Sequence, residues 1–206
     1  YKGRVVEIVA GYHIDMAPGI TDLGEFPENL WSRSVRKALL TIHPGDRGYN
    51  HHGDPLFIEA IRKYLLTLKG IECESGQILV CAGSYQALYL ASTLLKDHRK
   101  EVVLEDPVYS PITRLFEIQD FILKPVPMDN KGLITDQIPA TVNPCFYCVT
   151  PSHHYPTGAV LAIQRRIKLV ELAREKNSYI LENDYDSDFR YTGLPINSIH
   201  LLDRER

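Results

Sequence analysis

Hydrophobic positions along this chain follow two different periods, and the change between them comes after about a third of the sequence. Before it, apolar side chains recur every three or four residues, which is the spacing of amphipathic helices. We predict one helix over residues 30–42, ended by Pro44-Gly45, and a second over residues 57–68, with Gly70 just past its end. The residues before Phe26-Pro27 are predicted to form an extended lead-in.

From residue 77 onward, short apolar runs alternate with helical patterns. Strands are predicted over residues 78–82, 102–105, 121–126, 146–150 and 179–182. Helices are predicted over residues 86–95, 111–118 and 164–176. Strands without polar alternation are covered on both faces, and helices between them provide the crossovers of parallel pairing. The predicted fold class is therefore α/β, a three-layer sandwich with a mostly parallel sheet.

Composition and charge argue against several classes of function. A net charge of −3 and a pI of about 6.3 argue against a nucleic-acid-binding surface, which needs basic patches. The longest apolar stretch, residues 87–95, is far short of the roughly 20 residues that span a bilayer. If residues 146–150 form a strand, Cys145 and Cys148 point to opposite faces and share neither a metal ion nor a disulfide. We expect reduced thiols, no metal and a cytoplasmic protein.

Candidate chemistry follows the strands, because ligands of such sheets bind beyond the carboxyl ends of the strands. Gly83-Ser84 leads directly into a helix, where free N–H groups and the helix dipole attract an anion such as phosphate. The alternative is that Ser84 only caps the helix. The sequence has no Gly-x-Gly-x-x-Gly and no Gly-x-x-x-x-Gly-Lys, which disfavours dinucleotide and nucleoside-triphosphate loops.

Three further loops carry polar or aromatic groups. Tyr109 follows Glu-Asp-Pro and could cover a flat ligand, or it is simply a packed surface aromatic. In the loop after Thr150, His153 or His154 could donate a hydrogen bond to a ligand oxygen, or both are solvated. The last strand ends in a cluster of carboxylates, an amide and a phenol at residues 182–186. This cluster either faces solvent or binds a cationic ligand.

Four stretches together carry a resemblance. They read Gln-Ile-Leu-Val-Cys-Ala-Gly-Ser-Tyr-Gln-Ala-Leu at 77–88, Glu-Asp-Pro-Val-Tyr at 105–109, Thr-Pro-Ser-His-His-Tyr-Pro-Thr-Gly at 150–158 and Glu-Asn-Asp-Tyr-Asp-Ser-Asp-Phe-Arg-Tyr at 182–191. In this order they resemble the large domain of fold-type-I, aspartate aminotransferase-like pyridoxal-phosphate enzymes. The last two resemble specifically the aminotransferase-like domain of MocR-type regulators in the GntR superfamily. The resemblance extends from Phe26-Pro27 through Pro195.

The resemblance implies roles for the residues at the strand ends. The cofactor, pyridoxal 5'-phosphate, would have its phosphate held at Gly83, Ser84 and Tyr85, and its ring stacked on Tyr109. Tyr185 would donate its phenol to the 3-oxygen of the ring.

Three more residues are assigned in the same way. His153 and Tyr155 are also placed among the cofactor-binding residues. Tyr49 resembles the residue that reaches a partner subunit's phosphate, which implies a homodimer.

One departure from the family pattern concerns the partner of the pyridine nitrogen. The family usually has Glu-Asp-Asp-Tyr, whereas this chain has Glu182-Asn183-Asp184-Tyr185. The partner therefore maps onto Asn183, whose amide supplies no charge. On a regular strand Asn183 shares a face with Tyr185 while Asp184 points away, so both stay candidates. A weakened electron sink favours a sensor over an efficient catalyst.

A second departure concerns the lysine that the family uses for the Schiff base. No lysine follows Lys176, so we assign no catalytic residue and expect the chain alone to be inactive, with weak, reversible cofactor binding. We interpret the chain as a fragment with an incomplete large domain. Residues 1–50 would form the lead-in and first helix, and residues 51–206 the partial large domain, without its C-terminal part and small domain.

These observations leave three functional hypotheses. The first is the effector-sensing domain of a transcriptional regulator, which binds pyridoxal phosphate and an amino acid or amine and contacts DNA only through another domain. The alternative is part of a free-standing class I and II aminotransferase acting on amino acids and 2-oxo acids. A different α/β ligand-binding or hydrolytic domain is disfavoured because the sequence has no Gly-x-Ser-x-Gly elbow.

Overall fold

The structure, a computed structural model, describes residues 23–41, 52–189 and 197–203. The chain divides into two compact units, residues 1–49 and 50–206. In the first unit, a 3₁₀ turn at Leu23–Glu25 precedes helix α1, Glu28–Thr41. This confirms the first predicted helix, whose predicted end at Pro44-Gly45 lies outside the described residues. The predicted domain boundary after residue 50 stays a prediction.

The second unit alternates helices and strands. Its helices are α2 (Pro55–Tyr64), which continues as one π-helical turn (Leu65–Lys69), α3 (Ser84–Leu95), α4 (Ser110–Ile118) and α5 (Ile163–Glu175). Its strands are β1 (Glu101–Asp106), β2 (Ile122–Asp129), β3 (Gly132–Leu133), β4 (Phe146–Val149) and β5 (Tyr179–Glu182). Short 3₁₀ turns lie at Ser75–Gln77, Thr135–Gln137 and Ile199–Leu202.

The strands form one five-stranded sheet in the order β3-β2-β1-β4-β5. The neighbours β2, β1, β4 and β5 pair in parallel, which confirms the predicted mostly parallel sheet. Only β3 runs antiparallel, against the end of β2. The sequence pattern missed this strand, since its two residues are too few to show a period.

Two hydrophobic clusters cover the faces of the sheet. In the first cluster, residues of α5 pack against Val103, Tyr147 and Val149. In the second, residues of α4 pack against Val102, Leu104 and Phe146. The helices therefore lie on both faces, as the three-layer prediction requires.

The cysteines need one correction. Cys145 lies just before β4 and packs in the same cluster as Cys148, so the two thiols do not divide between the faces of the sheet as the strand spacing predicted. The reason is that β4 begins only at Phe146, which leaves Cys145 outside the strand's alternation. Cys73, Cys81, Cys145 and Cys148 are free thiols.

The prediction of a buried strand over residues 78–82 is wrong for the structure described. Ile78 is buried there, whereas Leu79 is 48% and Val80 is 38% exposed. The Val80 N–H donates to the carbonyl of His52 at 3.1 Å, and no strand of the described residues pairs with this segment. An apolar run becomes a strand only where another strand accepts its ladder of hydrogen bonds, and the sequence pattern does not show that partner.

Candidate functional site

Three tyrosines follow strands at the carboxyl edge of the parallel sheet, and we call them the tyrosine cluster. Tyr109 follows β1, Tyr155 follows β4 and Tyr185 follows β5. The rings of Tyr109 and Tyr155 lie edge to face, with centroids 5.6 Å apart. The Asp186 carboxylate raises the pKa of the Tyr185 phenol, and Tyr155 and Tyr109 add smaller contributions of the same sign. All three rings are partly exposed, so this tyrosine cluster offers an aromatic surface to a ligand.

Two prolines lie in the turns that carry Tyr109 and Tyr155. The Asp106-Pro107 and Tyr155-Pro156 peptide bonds are cis. Tyr109 caps the N-terminus of α4 through its carbonyl, which accepts the N–H of Ile112 at 2.9 Å.

The loop after β4 separates its two histidines. His154 is 1% exposed, and its N–H donates to the carbonyl of Ala159 at 3.0 Å, which closes the loop. His153 is exposed and makes no side-chain hydrogen bond within the described residues. The sequence left open which histidine meets a ligand, and in the structure only His153 has an exposed side chain. The assignment of His153 to the cofactor stays a prediction.

The end of β1 carries a buried acid that the sequence pattern does not distinguish. Glu105, at the end of β1, is 1% exposed, and its Oε2 accepts the N–H of Thr150 at 2.9 Å. The same oxygen lies 3.4 Å from Nε2 of His154. Burial raises the pKa of Glu105 to about 7 and lowers the pKa of His154. A buried acid with a raised pKa beside a buried imidazole, on the segments that carry Tyr109 and Tyr155, is a signal that only three-dimensional contact could provide.

The end of β5 distinguishes the two residues that the sequence left as candidates for a ring nitrogen. Oδ1 of Asp184 accepts the hydroxyl of Ser152 at 2.8 Å, and Oδ2 accepts the hydroxyl of Ser187 at 2.6 Å and lies 3.2 Å from Nζ of Lys69. Asn183 donates its backbone N–H to Val149 at 2.8 Å, and its side chain makes no hydrogen bond to the described residues. The carboxylate of Asp184 is thus occupied by the protein, whereas the amide of Asn183 is not.

The loop that carries Tyr185 is anchored from α2. Lys69, in the π-helical turn that Gly70 ends in the left-handed conformation, lies 2.8 Å from Oδ1 of Asp188 and also donates to Ser187. The phenol of Tyr64 donates to Asp188 as well. Both hydrogen bonds hold the pKa of the Asp188 carboxyl below its usual value. One cation therefore ties a distant helix to the loop at the end of β5.

The start of α3 has the features of an anion site. Gly83 occupies the N-cap position with φ of +103°, a conformation that favours glycine, and a Cβ placed there would meet no heavy atom within 4 Å. No side chain caps the helix, and in the part of the chain that the structure describes nothing accepts the N–H groups of residues 84–86. Because Ser84 is the first helical residue, the alternative that it is only the N-cap is wrong.

Comparison with known proteins decides the family. The sequence profile of the family "Aminotransferase class I and II" matches residues 24–205. The chain belongs to this aminotransferase family. It is 34% identical over 197 residues to the uncharacterized HTH-type transcriptional regulator YhdI of Bacillus subtilis, which covers 92% of the chain and 40% of YhdI. It is 28% identical over 188 residues to the probable rhizopine catabolism regulatory protein MocR of Rhizobium meliloti. That match covers 91% of this chain and 38% of MocR.

A solved structure agrees with the fold of this aminotransferase-family chain. Pyrococcus horikoshii kynurenine aminotransferase, crystallised in complex with PMP, superposes with a TM-score of 0.81 at 24% identity, covering 92% of this chain and 49% of that one. The predicted resemblance to the aminotransferase-like domain of MocR-type regulators and the predicted fold class are confirmed. The chain spans about 40% of the length of the regulators it matches.

The structure of this family member brings some of the predicted site residues together and leaves others apart. Tyr109 and Tyr155 are in ring contact, both act electrostatically on Tyr185, and Asp184 accepts a hydrogen bond from Ser152, in the loop that carries Tyr155. Gly83, Ser84 and Tyr85 share no ring contact or side-chain hydrogen bond with that cluster in the described ranges. Tyr49 lies outside the described residues.

The described residues contain neither a membrane-spanning helix nor a cluster of metal ligands. None of the described helices is long and apolar enough to cross a bilayer. Within the same ranges, no three His, Cys, Asp or Glu side chains are grouped to hold a metal ion.

Proposed function

We propose that this chain binds pyridoxal phosphate at the carboxyl edge of its sheet and serves as the effector-sensing domain of a MocR-type transcriptional regulator. The observation that carries the proposal is the start of α3, where the N–H groups of residues 84–86 have no acceptor and no side chain caps the helix. An uncapped helix N-terminus with glycine at positive φ accommodates a phosphate dianion, which satisfies the free donors and complements the helix dipole.

The donor set fits the phosphate. Ser84, at the first helical position, adds a hydroxyl to the free N–H groups, and Tyr85 is 46% exposed beside it. Nothing lies within 4 Å of the position where a Cβ of Gly83 would stand, so an oxygen can approach the backbone there. We assign the phosphate to Gly83, Ser84 and Tyr85.

The tyrosine cluster fits the ring of the cofactor. Tyr109 would stack on the flat face, with Tyr155 holding Tyr109 edge to face and His153 on the exposed side of the same loop. Tyr185 would donate its phenol to the 3-oxygen. The raised pKa of Tyr185 keeps that phenol protonated, as a donor must be.

The ring nitrogen would face Asn183 rather than Asp184. The carboxylate of Asp184 is held by Ser152, Ser187 and Lys69, whereas the side chain of Asn183 has no hydrogen bond to the described residues. When bound, the cofactor supplies an electron-withdrawing ring, and a carboxylate at the nitrogen strengthens that property. A neutral amide there favours sensing an amine over efficient turnover, which separates this proposal from a free-standing aminotransferase.

The rest of the proposed assembly follows from the related regulators. We propose an amino acid or amine as effector, a homodimer in which Tyr49 reaches the partner subunit's phosphate, and DNA contact through a separate domain. The lysine that the family resemblance implies for covalent attachment is not found after Lys176 in these 206 residues.

A titration with pyridoxal phosphate, followed by the absorbance of the cofactor, tests the proposal. We expect Ser84→Ala to weaken binding about 10- to 150-fold, because one hydrogen bond to a charged phosphate is worth roughly 1.5–3 kcal/mol. Ser75→Ala, the same change at the first residue of another helical turn, is the matched control and should leave binding unchanged. Equal affinity of wild type and Ser84→Ala, or no binding by wild type, would contradict the phosphate assignment.

A further inference from the structure

Glu105 and His154 form a buried pair that the proposed cofactor contacts do not use. Both side chains are 1% exposed. Oε2 of Glu105 lies 3.4 Å from Nε2 of His154, and the structure leaves Oε1 of Glu105 and Nε2 of His154 without a hydrogen-bond partner. The separation is somewhat wider than a normal N–H···O bond, so the two atoms face each other across a gap that one proton can bridge.

The neighbours of the pair limit which of its atoms can carry a proton. The N–H of Thr150 donates to Oε2 of Glu105, and Nδ1 of His154 lies 2.8 Å from Oγ1 of Thr157. That hydroxyl oxygen also accepts the N–H of Ala159 at 3.3 Å. If Nδ1–H donates to Thr157, Nε2 is an acceptor and Glu105 must be the donor. If Thr157 donates, Nε2–H faces a carboxylate. Each arrangement lets one proton bridge Oε2 and Nε2, and the Pro107 carbonyl is a further acceptor that faces the imidazole.

We propose that Glu105 and His154 hold one proton between them near neutral pH and brace the turn after β1 against the loop after β4. The inference rests on the proposed function in one respect: those two segments carry Tyr109 and Tyr155, the proposed ring contacts. Glu105 and His154 are positioning residues, since they act on a ligand only through the two tyrosines.

Burial explains why the pair keeps the proton. A net charge at 1% exposure is costly, and a neutral acid beside a neutral imidazole, or a carboxylate beside an imidazolium, carries none. Burial raises the pKa of Glu105, against the opposing effect of the Thr150 N–H. Burial lowers the pKa of His154, against the opposing effect of the Pro107 carbonyl.

Among the described residues, the further titratable group that faces the pair comes from β4. The thiol of Cys148 is 2% exposed, and burial together with Glu105 raises its pKa, so Cys148 stays neutral and does not compete for the proton. The two partners therefore titrate as a pair, with macroscopic midpoints that belong to both residues.

Nitrogen NMR of the histidine-labelled chain tests the sharing directly, without cofactor. In wild type, we expect the ring nitrogens of His154 to change between pH 6 and 8 together with the side-chain carbon of Glu105. Glu105→Gln should abolish that change while its amide keeps donating to Nε2. The matched control His153→Gln removes the exposed neighbour and should leave the change in place.

Contacts between the Tyr109 and Tyr155 rings, measured as nuclear Overhauser effects, test the brace. We expect them to persist in Glu105→Gln and to weaken in Glu105→Ala, which removes the bridging group. If His154 titrates identically in wild type and Glu105→Gln, the proton is not shared and the proposal fails. If the ring contacts survive in Glu105→Ala, there is no brace. Should Glu105→Ala not fold, His154→Gln and His154→Ala provide the same comparison from the other side.

Cofactor binding separates this inference from the proposed function. With the brace and the proposed function both correct, the affinity of wild type for pyridoxal phosphate depends on pH around the midpoint of the pair more steeply than that of Glu105→Gln, whose remaining pH dependence comes from the cofactor phosphate. Shared titration and ring contacts in a chain that binds no cofactor would support the brace and contradict the proposed function. A pH profile that is the same in wild type and Glu105→Gln would overturn the positioning role.

Discussion

Arg166 and the Glu105–His154 pair are both buried against the segment that follows β4, yet they differ in how completely their polar atoms are hydrogen-bonded. Nε of Arg166 donates to the carbonyl of Leu161 at 2.7 Å, and its terminal nitrogens donate to Pro151 at 2.7 Å and to Asn197. Glu105 and His154 each leave one polar atom without a partner. The same loop thus contacts one cation whose three side-chain nitrogens all donate hydrogen bonds, and one pair in which two polar atoms have no partner.

The difference indicates two different roles. A buried group with all its bonds made has one low-energy arrangement, and it fixes the backbone around it. Carbonyl oxygens satisfy the guanidinium of Arg166, and the charges of Glu182 and Asp184 favour its ionised form although burial lowers its pKa. A pair with an unused donor or acceptor can change its proton without breaking the bonds around it. Arg166 is therefore structural, and the pair responds to pH.

The largest expected effect comes from removing the satisfied cation. Arg166→Ala leaves the carbonyls of Pro151, Leu161 and Asn197 without their donor and should lower the free energy of unfolding by about 3–5 kcal/mol. Urea denaturation measures it. Arg165→Ala, the neighbouring arginine that pairs with the partly exposed Asp129, is the control and should cost roughly 1 kcal/mol. Equal losses in the two variants would show that burial of Arg166 carries no special weight.

How far the sequence predicts this site depends on the range of the interactions. The apolar runs of β1, β4 and β5 predict the strands, and with them the position of Tyr109 and Tyr185 at the edge of the sheet. Strand alternation also separates Asp184 from Asn183, but not the Ser152 and Lys69 that hold Asp184. Those partners come from other elements, and local periodicity contains no information about them.

The wrong and missed predictions have the same cause. Residues 78–82 are apolar enough for a buried strand, but a strand also needs a neighbour, and pairing is decided elsewhere in the chain. Glu105 looked like a polar residue that ends a strand, and it became significant only because the loop after β4 places His154 against it.

The next effect tests the other side of the comparison through pH. Burial raises the pKa of Glu105 from 4.5 to about 7, so an unfolded chain releases this proton at lower pH than the folded one. The contribution is fully present below pH 4.5 and is lost as the pH rises through 7, a change of roughly 3 kcal/mol in the free energy of unfolding. His154 acts with the opposite sign, because its pKa is lowered: its contribution is lost as the pH falls.

Because the two groups oppose each other, variants must be compared at each pH. The stability of wild type relative to Glu105→Gln should fall between pH 4.5 and pH 8, and that of wild type relative to His154→Gln should rise over the lower part of this range. Urea midpoints at a series of pH values measure both. A constant difference between wild type and Glu105→Gln would mean that Glu105 has an ordinary pKa in the folded chain.

The smallest expected effect concerns Lys69, whose environment is intermediate between that of Arg166 and that of the Glu105–His154 pair. Its side chain is 15% exposed, and its partners are the carboxylates of Asp184 and Asp188. Lys69→Met keeps the length of the side chain but leaves two neighbouring carboxylates without their cation. We expect a loss of only about 1 kcal/mol, because water screens both acids, with the loss confined to the loop that carries Tyr185. Amide hydrogen exchange should therefore quicken in residues 183–189 and stay unchanged in β1 and β4. Lys63→Met, on the exposed face of α2 beside Glu59, should leave that loop as protected as in wild type, and equal exchange in the two variants would show that Lys69 is not its anchor.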